Sequence, residues 1–340
     1  MINVAVVGLG FMGVTHLKTY RNIPNARVTG LCDAVRLPVD GVLAAAGGNI
    51  GSADTLSFDM SRVKATHDLN ELLADPAIDL IDICVPTLIH PQLAIAALKA
   101  GKHVICEKPL ARTAAAAREI AAAAATAKGF FMPAMCIRFW PAYAWLKQAI
   151  DEQHYGRVLA ARFRRVSEPP AWGREHFFDG AKSGGAILDL HIHDADFVQF
   201  CFGRPTAVFA QGFSHYSGAI DHVVAQYQVA GGAAVSAEGG WVMGAGHGFE
   251  MAYTIIFENA TLDFNSTRDA EALRLFAKDQ APRTIALPPG DGYLAELSYM
   301  IDCIANGRAP VTVTAGDGAS AVEICEAEGE SIRSGKVVAL

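Results

Sequence analysis

The chain of 340 residues contains no Cys-x-x-Cys pair. Its seven cysteines, Cys32, Cys84, Cys106, Cys136, Cys201, Cys303 and Cys325, form no even framework. That excludes a disulfide scaffold and a cysteine-held zinc, and it favours reduced thiols. No apolar stretch approaches the roughly 18 uninterrupted residues of a membrane span. Basic charge is also scarce, with 28 Lys and Arg against 35 Asp and Glu and a formal net charge of -7. A nucleic-acid surface needs Lys and Arg gathered on one face, and the one cluster, Arg162, Arg164 and Arg165, is too small to make one. Charged residues are only 19% of the chain and hydrophobic residues 51%, which excludes extended disorder and supplies a core. The opening text, MINVAVVGLG, has no basic n-region or cleavage site of a signal peptide, so the expected compartment is the cytoplasm. No internal repeat is present.

Over the first part of the chain, short apolar runs at 2–7, 28–32, 80–85 and 104–106 alternate with segments of helical spacing such as 92–99. That rhythm predicts βαβ units, hence a doubly wound parallel sheet with helices on both faces. The polar stretch GGNIGSADTLSFDMSR at 47–62 reads as a surface insertion. The alanine-rich run at 114–129 reads as helix, because alanine has the best helix propensity. After Pro133 the text becomes β-rich, with turns in place of helices, and predicts a largely antiparallel sheet in an α+β domain. Helical patterns return in the last 50 residues and end at Asn-Gly and at a further glycine, as helix C-termini do. The expected division is a first domain at 1–130 and a second at 131–340, with an α/β class for the whole.

VAVVGLGFMGVTHL places Gly8, Gly10 and Gly13 in G-x-G-x-x-G spacing directly after a strand and at the start of a helix. In that setting Gly8 permits the tight turn, Gly10 lets the backbone approach a pyrophosphate, and Gly13 lets helix and strand pack closely. Asp33 closes the second strand, where an acid accepts hydrogen bonds from both ribose hydroxyls of NAD and repels a 2′-phosphate. NAD is therefore favoured, and NADP stays open because Arg36 could meet a 2′-phosphate. AGKHVICEKPLA, at 100–111, delivers Glu107, Lys108 and Pro109 to the C-terminal end of a buried strand, where ligands of doubly wound sheets sit.

With those two motifs the chain resembles the Gfo/Idh/MocA oxidoreductases, named for glucose-fructose oxidoreductase, inositol dehydrogenase and a rhizopine-catabolism protein. The resemblance extends through VPTLIHPQLAIAALKAGKHVICEKPLA, RFWPAY at 138–143, SGGAILDLHIHDAD, and the tail from GYLAELSYMIDCIANGRAP to SGKVVAL. It implies an N-terminal Rossmann domain, and then a domain with a large open sheet whose outer face forms homodimers or homotetramers. It implies a cis peptide between Lys108 and Pro109, with Lys108 beside nicotinamide and substrate. By the same comparison Phe11, Met12, Pro86, Thr87, His90 and Glu107 join the cofactor site, and Arg138, Trp172, Arg174 and His176 face the substrate.

The segment GGAILDLHIHDAD, at 184–196, is rich in ligand-type residues. Read as a helix, it puts Asp189 and His193 on one face and turns His191 away; read as a strand, it aligns Asp189, His191 and His193, and a metal set survives. The resemblance favours no metal. It makes Asp189 and His193, four residues apart, the partners of Lys108 in a catalytic set. A histidine is a natural base near neutrality for oxidising a secondary alcohol. The expected activity is hydride transfer between NAD(P) and a sugar, cyclitol or related polyol. Two alternatives stand beside it: a non-enzymatic NAD-binding regulator, and a redox-neutral NAD-dependent glycosidase. Asp194 and Asp196 are expected to pair or cap structurally, and the role of His191 is open.

Overall fold

The computed structural model describes residues 1–44 and 55–340. By their internal contacts these divide into two compact units, Met1–Cys136 with Asp291–Ala319, and Ile137–Gly290 with Ser320–Leu340.

The first unit is built on strands β1 (Ile2–Val7) and β2 (Ala26–Cys32), a small ribbon of β3 (Val42–Leu43) and β4 (Leu56–Ser57), then β5 (Lys64–Thr66), β6 (Leu80–Ile83), β7 (His103–Glu107) and β8 (Phe131–Ala134). Apart from the ribbon these form one six-stranded sheet in the order β5-β2-β1-β6-β7-β8, and every pairing in it is parallel. The order reverses between β1 and β6, which creates the crevice where doubly wound sheets bind nucleotides. Residues such as Val4, Val6, Leu80, Ile81 and Ile105 are fully buried because helices cover both faces. The alanine run forms the helix Ala114–Thr126, started by the Thr113 hydroxyl, which accepts the Ala116 N–H at 3.2 Å. Of the stretch expected to be a surface insertion, the first part lies outside the described residues, and its later part supplies β4, which pairs with β3.

The second unit carries a nine-stranded sheet made of β9 (Val158–Ser167), β10 (Ala207–Phe213), β11 (His222–Gln228), β12 (Ala234–Gly240), β13 (Phe249–Phe257), β14 (Ala260–Asn265), β15 (Leu273–Ala277), β16 (Arg283–Thr284) and β17 (Val338–Ala339). Their order is β16-β15-β14-β13-β9-β12-β11-β10-β17; β9 and β12 run parallel and the other neighbours antiparallel. Along β11 the inner residues Val223, Ala225 and Tyr227 are buried and alternate with exposed Val224, Gln226 and Gln228. One face of the sheet therefore packs and the other is open. The packed face meets an aromatic cluster in which Tyr143 stands edge-on to Phe197, Tyr253 and Phe264 at 4.9, 5.2 and 5.7 Å.

A single cut at residue 130 does not describe this arrangement. The helix Gly292–Ala305, capped by Asp291 through the Leu294 N–H at 2.9 Å, belongs with the first unit and packs on the helix Phe11–Tyr20. Periodicity announces a helix but not the surface that will receive its apolar face. Among the described residues no helix is long and apolar enough to cross a membrane.

Candidate active site

The loop after β1 is shaped by its three glycines in different ways. Gly8 has a φ of +92°, and a Cβ there would lie 2.5 Å from the Cys84 carbonyl oxygen. A Cβ on Gly13 would lie 1.8 Å from the Gly8 oxygen, so helix and strand meet only because the side chain is absent. A Cβ on Gly10 would meet nothing within 4 Å. The protein itself thus does not require glycine at Gly10, and the bare backbone opens onto space at a helix N-terminus whose cap makes no side-chain hydrogen bond. Half-exposed Phe11 and Met12 follow in the first turn. This is a cradle suited to the pyrophosphate of a dinucleotide.

Asp33 ties that loop to the end of β2. Its Oδ2 accepts the Leu9 N–H at 2.7 Å, and its Oδ1 accepts the N–H groups of Val35 and Arg36 at 2.8 Å each. Both acceptor positions of Oδ1 are thereby taken, and Oδ2 keeps one for a ribose hydroxyl. The Arg36 guanidinium donates to the Ala44 carbonyl at 2.7 Å.

At the C-terminal ends of β6 and β7, exposed Pro86 precedes buried Thr87, and Glu107, 6% exposed, precedes half-exposed Lys108. The Lys108–Pro109 peptide is cis, as the resemblance implied. His90 is placed differently from the expectation that it lines the cofactor. It is 1% exposed, with Nδ1 at 2.9 Å from the Pro109 carbonyl and Nε2 at 2.8 Å from the Val85 carbonyl. Its ring ties together the loops that carry Pro86 and Lys108. Burial pushes its pKa down, against the pull of the two carbonyls.

In the second unit the segment 184–196 is neither a strand nor one uniform helix. The helix Gly185–Asp189 ends, and Ile192–Phe202 begins, around a turn in which the His191 N–H donates to the Ala186 carbonyl, five residues back, at 2.8 Å. Such i to i−5 widening is frequent at functional sites. Asp189 and His193 stand on either side of it. From Ser183 to Gln199 only Asp189, Leu190 and His193 reach solvent, and every other residue is buried.

The acids beside them are structural. Asp194 accepts from the Arg165 guanidinium at 2.7 and 3.2 Å, and Asp196 from Arg138 at 2.8 and 2.6 Å. This corrects the expectation for Arg138: it is 4% exposed, committed to Asp196, and stacked over the Phe200 ring at 4.5 Å. His191 is fully buried, with Nε2 3.2 Å from Glu328 Oε2 and 3.2 Å from the Tyr227 hydroxyl, which itself donates to Glu328 at 2.6 Å. Its open role is therefore a core ion pair.

The remaining substrate candidates gather on an aromatic patch. Trp172 and His176 each stand edge-on to Phe177, at 4.9 and 5.0 Å, and Arg174 lies 5.2 Å over Phe178. Phe178 stacks on Tyr216 at 5.1 Å. Sequence reasoning missed Tyr216 and the residue that holds its loop, Asp221. That carboxylate accepts the N–H groups of His215, Tyr216 and Ser217 at 2.6–2.9 Å and the Trp241 indole N–H at 2.8 Å. Burial pushes its pKa up, but the Ser217 hydroxyl, which donates to it at 2.6 Å, and the three backbone N–H groups hold it below the usual carboxylate range. The run SHYSGAID had no helical or strand spacing to mark it.

Comparison with known proteins gives the following. The family model described as GFO/IDH/MocA, oxidoreductase family, NAD-binding Rossmann fold, matches residues 2–135, and the GFO/IDH/MocA C-terminal domain matches residues 143–263. The chain is 32% identical over 216 residues to levoglucosan dehydrogenase of Pseudarthrobacter phenanthrenivorans, covering 62% of this chain and 53% of that protein. It is 27% identical to scyllo-inositol 2-dehydrogenase (NAD(+)) of Bacillus subtilis, covering 100% of this chain and 96% of that one. Several curated relatives, the levoglucosan enzyme among them, are thus matched over about half their length, and the inositol enzyme over nearly all of it. Among solved structures, levoglucosan dehydrogenase in complex with NADH and L-sorbose superposes with a TM-score of 0.83 at 26% identity, over 99% of this chain and 98% of that one.

Proposed function

Because this chain belongs to the Gfo/Idh/MocA family of NAD-binding oxidoreductases, we propose that it transfers hydride between NAD and a secondary alcohol or carbonyl of a sugar, cyclitol or related polyol. The substrate class follows the relatives named for levoglucosan and scyllo-inositol. The observation that carries the site is the exposure pattern at 184–196. An acid and a histidine four residues apart stay reachable at a widened helical turn whose other neighbours, Leu190 apart, are buried.

Bound NAD supplies the hydride acceptor. The loop from Gly8 to Gly13 would hold its pyrophosphate and Asp33 a ribose hydroxyl, and Pro86, Thr87, Glu107 and Lys108 would receive the nicotinamide end. His193 takes the hydroxyl proton, the Lys108 ammonium stabilises the developing alkoxide, and Asp189 orients the substrate hydroxyl or the imidazole. Trp172, Arg174 and His176, with Phe178 and Tyr216, offer flat faces and donors that suit a polyhydroxylated ring. We also read the exposed face of the nine-stranded sheet, which carries Phe213, Val224, Ile256 and Phe276, as a homodimer or homotetramer surface. The free state of all seven cysteines agrees with a cytoplasmic protein.

The test offers sugars and polyols with NAD and with NADP and follows reduced nicotinamide absorbance. Turnover with NAD is the expected result. Lys108→Ala and His193→Ala should each lower kcat by about 10²- to 10⁴-fold and leave NADH affinity within about twofold. Sugar release with no net NADH would replace this reading by the glycosidase one.

A further inference from the structure

Behind the Glu107–Lys108–Pro109 turn lies a buried polar chain, of which His16 and Asp82 have no part in the steps above. His16, on the helix Phe11–Tyr20, and Asp82, within β6, are both 0% exposed. His16 Nδ1 lies 2.9 Å from Asp82 Oδ2, and His16 Nε2 lies 3.2 Å from Glu107 Oε1. The other oxygen of Glu107 accepts the backbone N–H of Lys108 at 3.1 Å. Asp82, His16, Glu107 and the Lys108 amide thus form one continuous line that ends at the turn.

His16 Nε2 makes no hydrogen bond to Glu107, so what joins the two at 3.2 Å is charge, which requires the imidazolium; a neutral ring would serve Asp82 alone. Burial opposes that charge, and the Asp82 carboxylate overcomes it, holding His16 well above the ordinary histidine value. The groups packed around the ring are neutral. The Tyr20 hydroxyl donates to Asp82 Oδ2 at 2.9 Å, and burial keeps that phenol protonated. Burial likewise raises the thiols of Cys84 and Cys106 and the phenol of Tyr293. Glu296, on the helix Gly292–Ala305, is 0% exposed with no hydrogen bond to either oxygen; burial and then Glu107 push its pKa well up, so it is a neutral acid.

The ligand-type atoms of His16, Asp82 and Cys84 lie within 4.8 Å of one another. A zinc bound at about 2.0–2.2 Å to both nitrogen and oxygen would hold those two atoms roughly 3.3 Å apart or more in tetrahedral geometry. As the side chains stand, a hydrogen bond of 2.9 Å joins His16 and Asp82.

We propose that His16 is a positioning residue for the redox site: as an imidazolium clamped between Asp82 and Glu107, it fixes Glu107, and through it the backbone from which the Lys108 ammonium is aimed. The proposal rests on the reading that Lys108 acts in hydride transfer. Positioning matters because a displacement of about 1 Å can lower a rate by about 100-fold.

The test has two arms. In the first, the wild-type protein carries 15N-histidine, and NMR reads the His16 ring, assigned by its loss in His16→Gln. Both nitrogens should be protonated at pH 7; a neutral ring there overturns the proposal, and no substrate is needed to see it. In the second, wild type, His16→Gln and Lys108→Ala are assayed on whichever polyol is turned over, with NADH affinity and melting temperature measured alongside. His16→Gln should lower kcat by roughly 10- to 100-fold with NADH affinity within about twofold. Wild-type kcat should fall on the alkaline side as His16 loses its proton, and His16→Gln should lack that limb. A kcat for His16→Gln within about twofold of wild type overturns the proposal, while full activity in Lys108→Ala overturns the underlying reading instead. Should His16→Gln not fold, Asp82→Asn takes its place and should move the alkaline limb to lower pH; an unmoved limb overturns the proposal.

Discussion

His16 in the first unit and His191 in the second are both 0% exposed, and a carboxylate holds each above the ordinary histidine pKa although burial pushes down. They differ in where the partners stand. His16 has an acid on each ring nitrogen, Asp82 and Glu107, whereas the contacts of His191 all fall on Nε2, with Glu328 and Tyr227. Neither His16 Nε2 nor His191 Nδ1 has a hydrogen-bond partner, but the first lies 3.2 Å from the Glu107 carboxylate, whereas the second faces the backbone of Gly239, where a Cβ would lie 2.7 Å away. A two-sided clamp connects segments and passes restraint from one to the next. A one-sided pair anchors a core and passes nothing on, so His191 belongs to stability and His16 to the turn at Lys108.

The strongest way to break that contrast is Glu328→Ala, which strands the His191 charge in the core. Stability should fall by about 3–5 kcal/mol, because a buried ion left unpaired loses its compensation. Calorimetric or denaturant unfolding measures this, and a loss under about 1 kcal/mol would mean that the ring is neutral and the two histidines differ more than argued. Next comes pH. Both folded pKa values are raised, so the stability from each ring is complete below the unfolded value of 6.5 and is lost as pH rises through the folded value. Melting temperature should decline from about pH 6.5 upward, and less steeply in His191→Gln. An unchanged slope would remove His191 from the account. The mildest test compares two glycines. Gly239→Ala should cost about 1–3 kcal/mol by crowding His191. Gly10→Ala should change stability by no more than about 0.5 kcal/mol and weaken NADH binding, read by nicotinamide fluorescence.

The two units were legible to different degrees. In the first, the glycine spacing, Asp33 and the strand ending in Glu107 were visible because each is a local signal tied to a strand end. The partners behind them were not. His16 and Asp82 are 66 residues apart, and nothing in either neighbourhood announces the other. His90 was expected at the cofactor by the resemblance alone, yet its ring faces the Val85 and Pro109 carbonyls. In the second unit, helical spacing set His191 apart from Asp189 and His193, and His191 is buried where those two reach solvent, but the break between two helices at His191 has no signature in spacing. The pairing of Arg138 with Asp196 spans 58 residues, and that of His191 with Glu328 spans 137.

The sequence by itself determined the alternation of strands and helices, the bare loop after β1, and the placing of Glu107 and Lys108 at a strand's end. All of these follow from periodicity and from backbone freedom over a few residues. The tertiary structure alone decided which charges are reachable and which are spent in the core. That choice is made by burial: an Arg, Asp or His taken out of water needs its partner within hydrogen-bonding distance, and folding brings the partner from elsewhere in the chain.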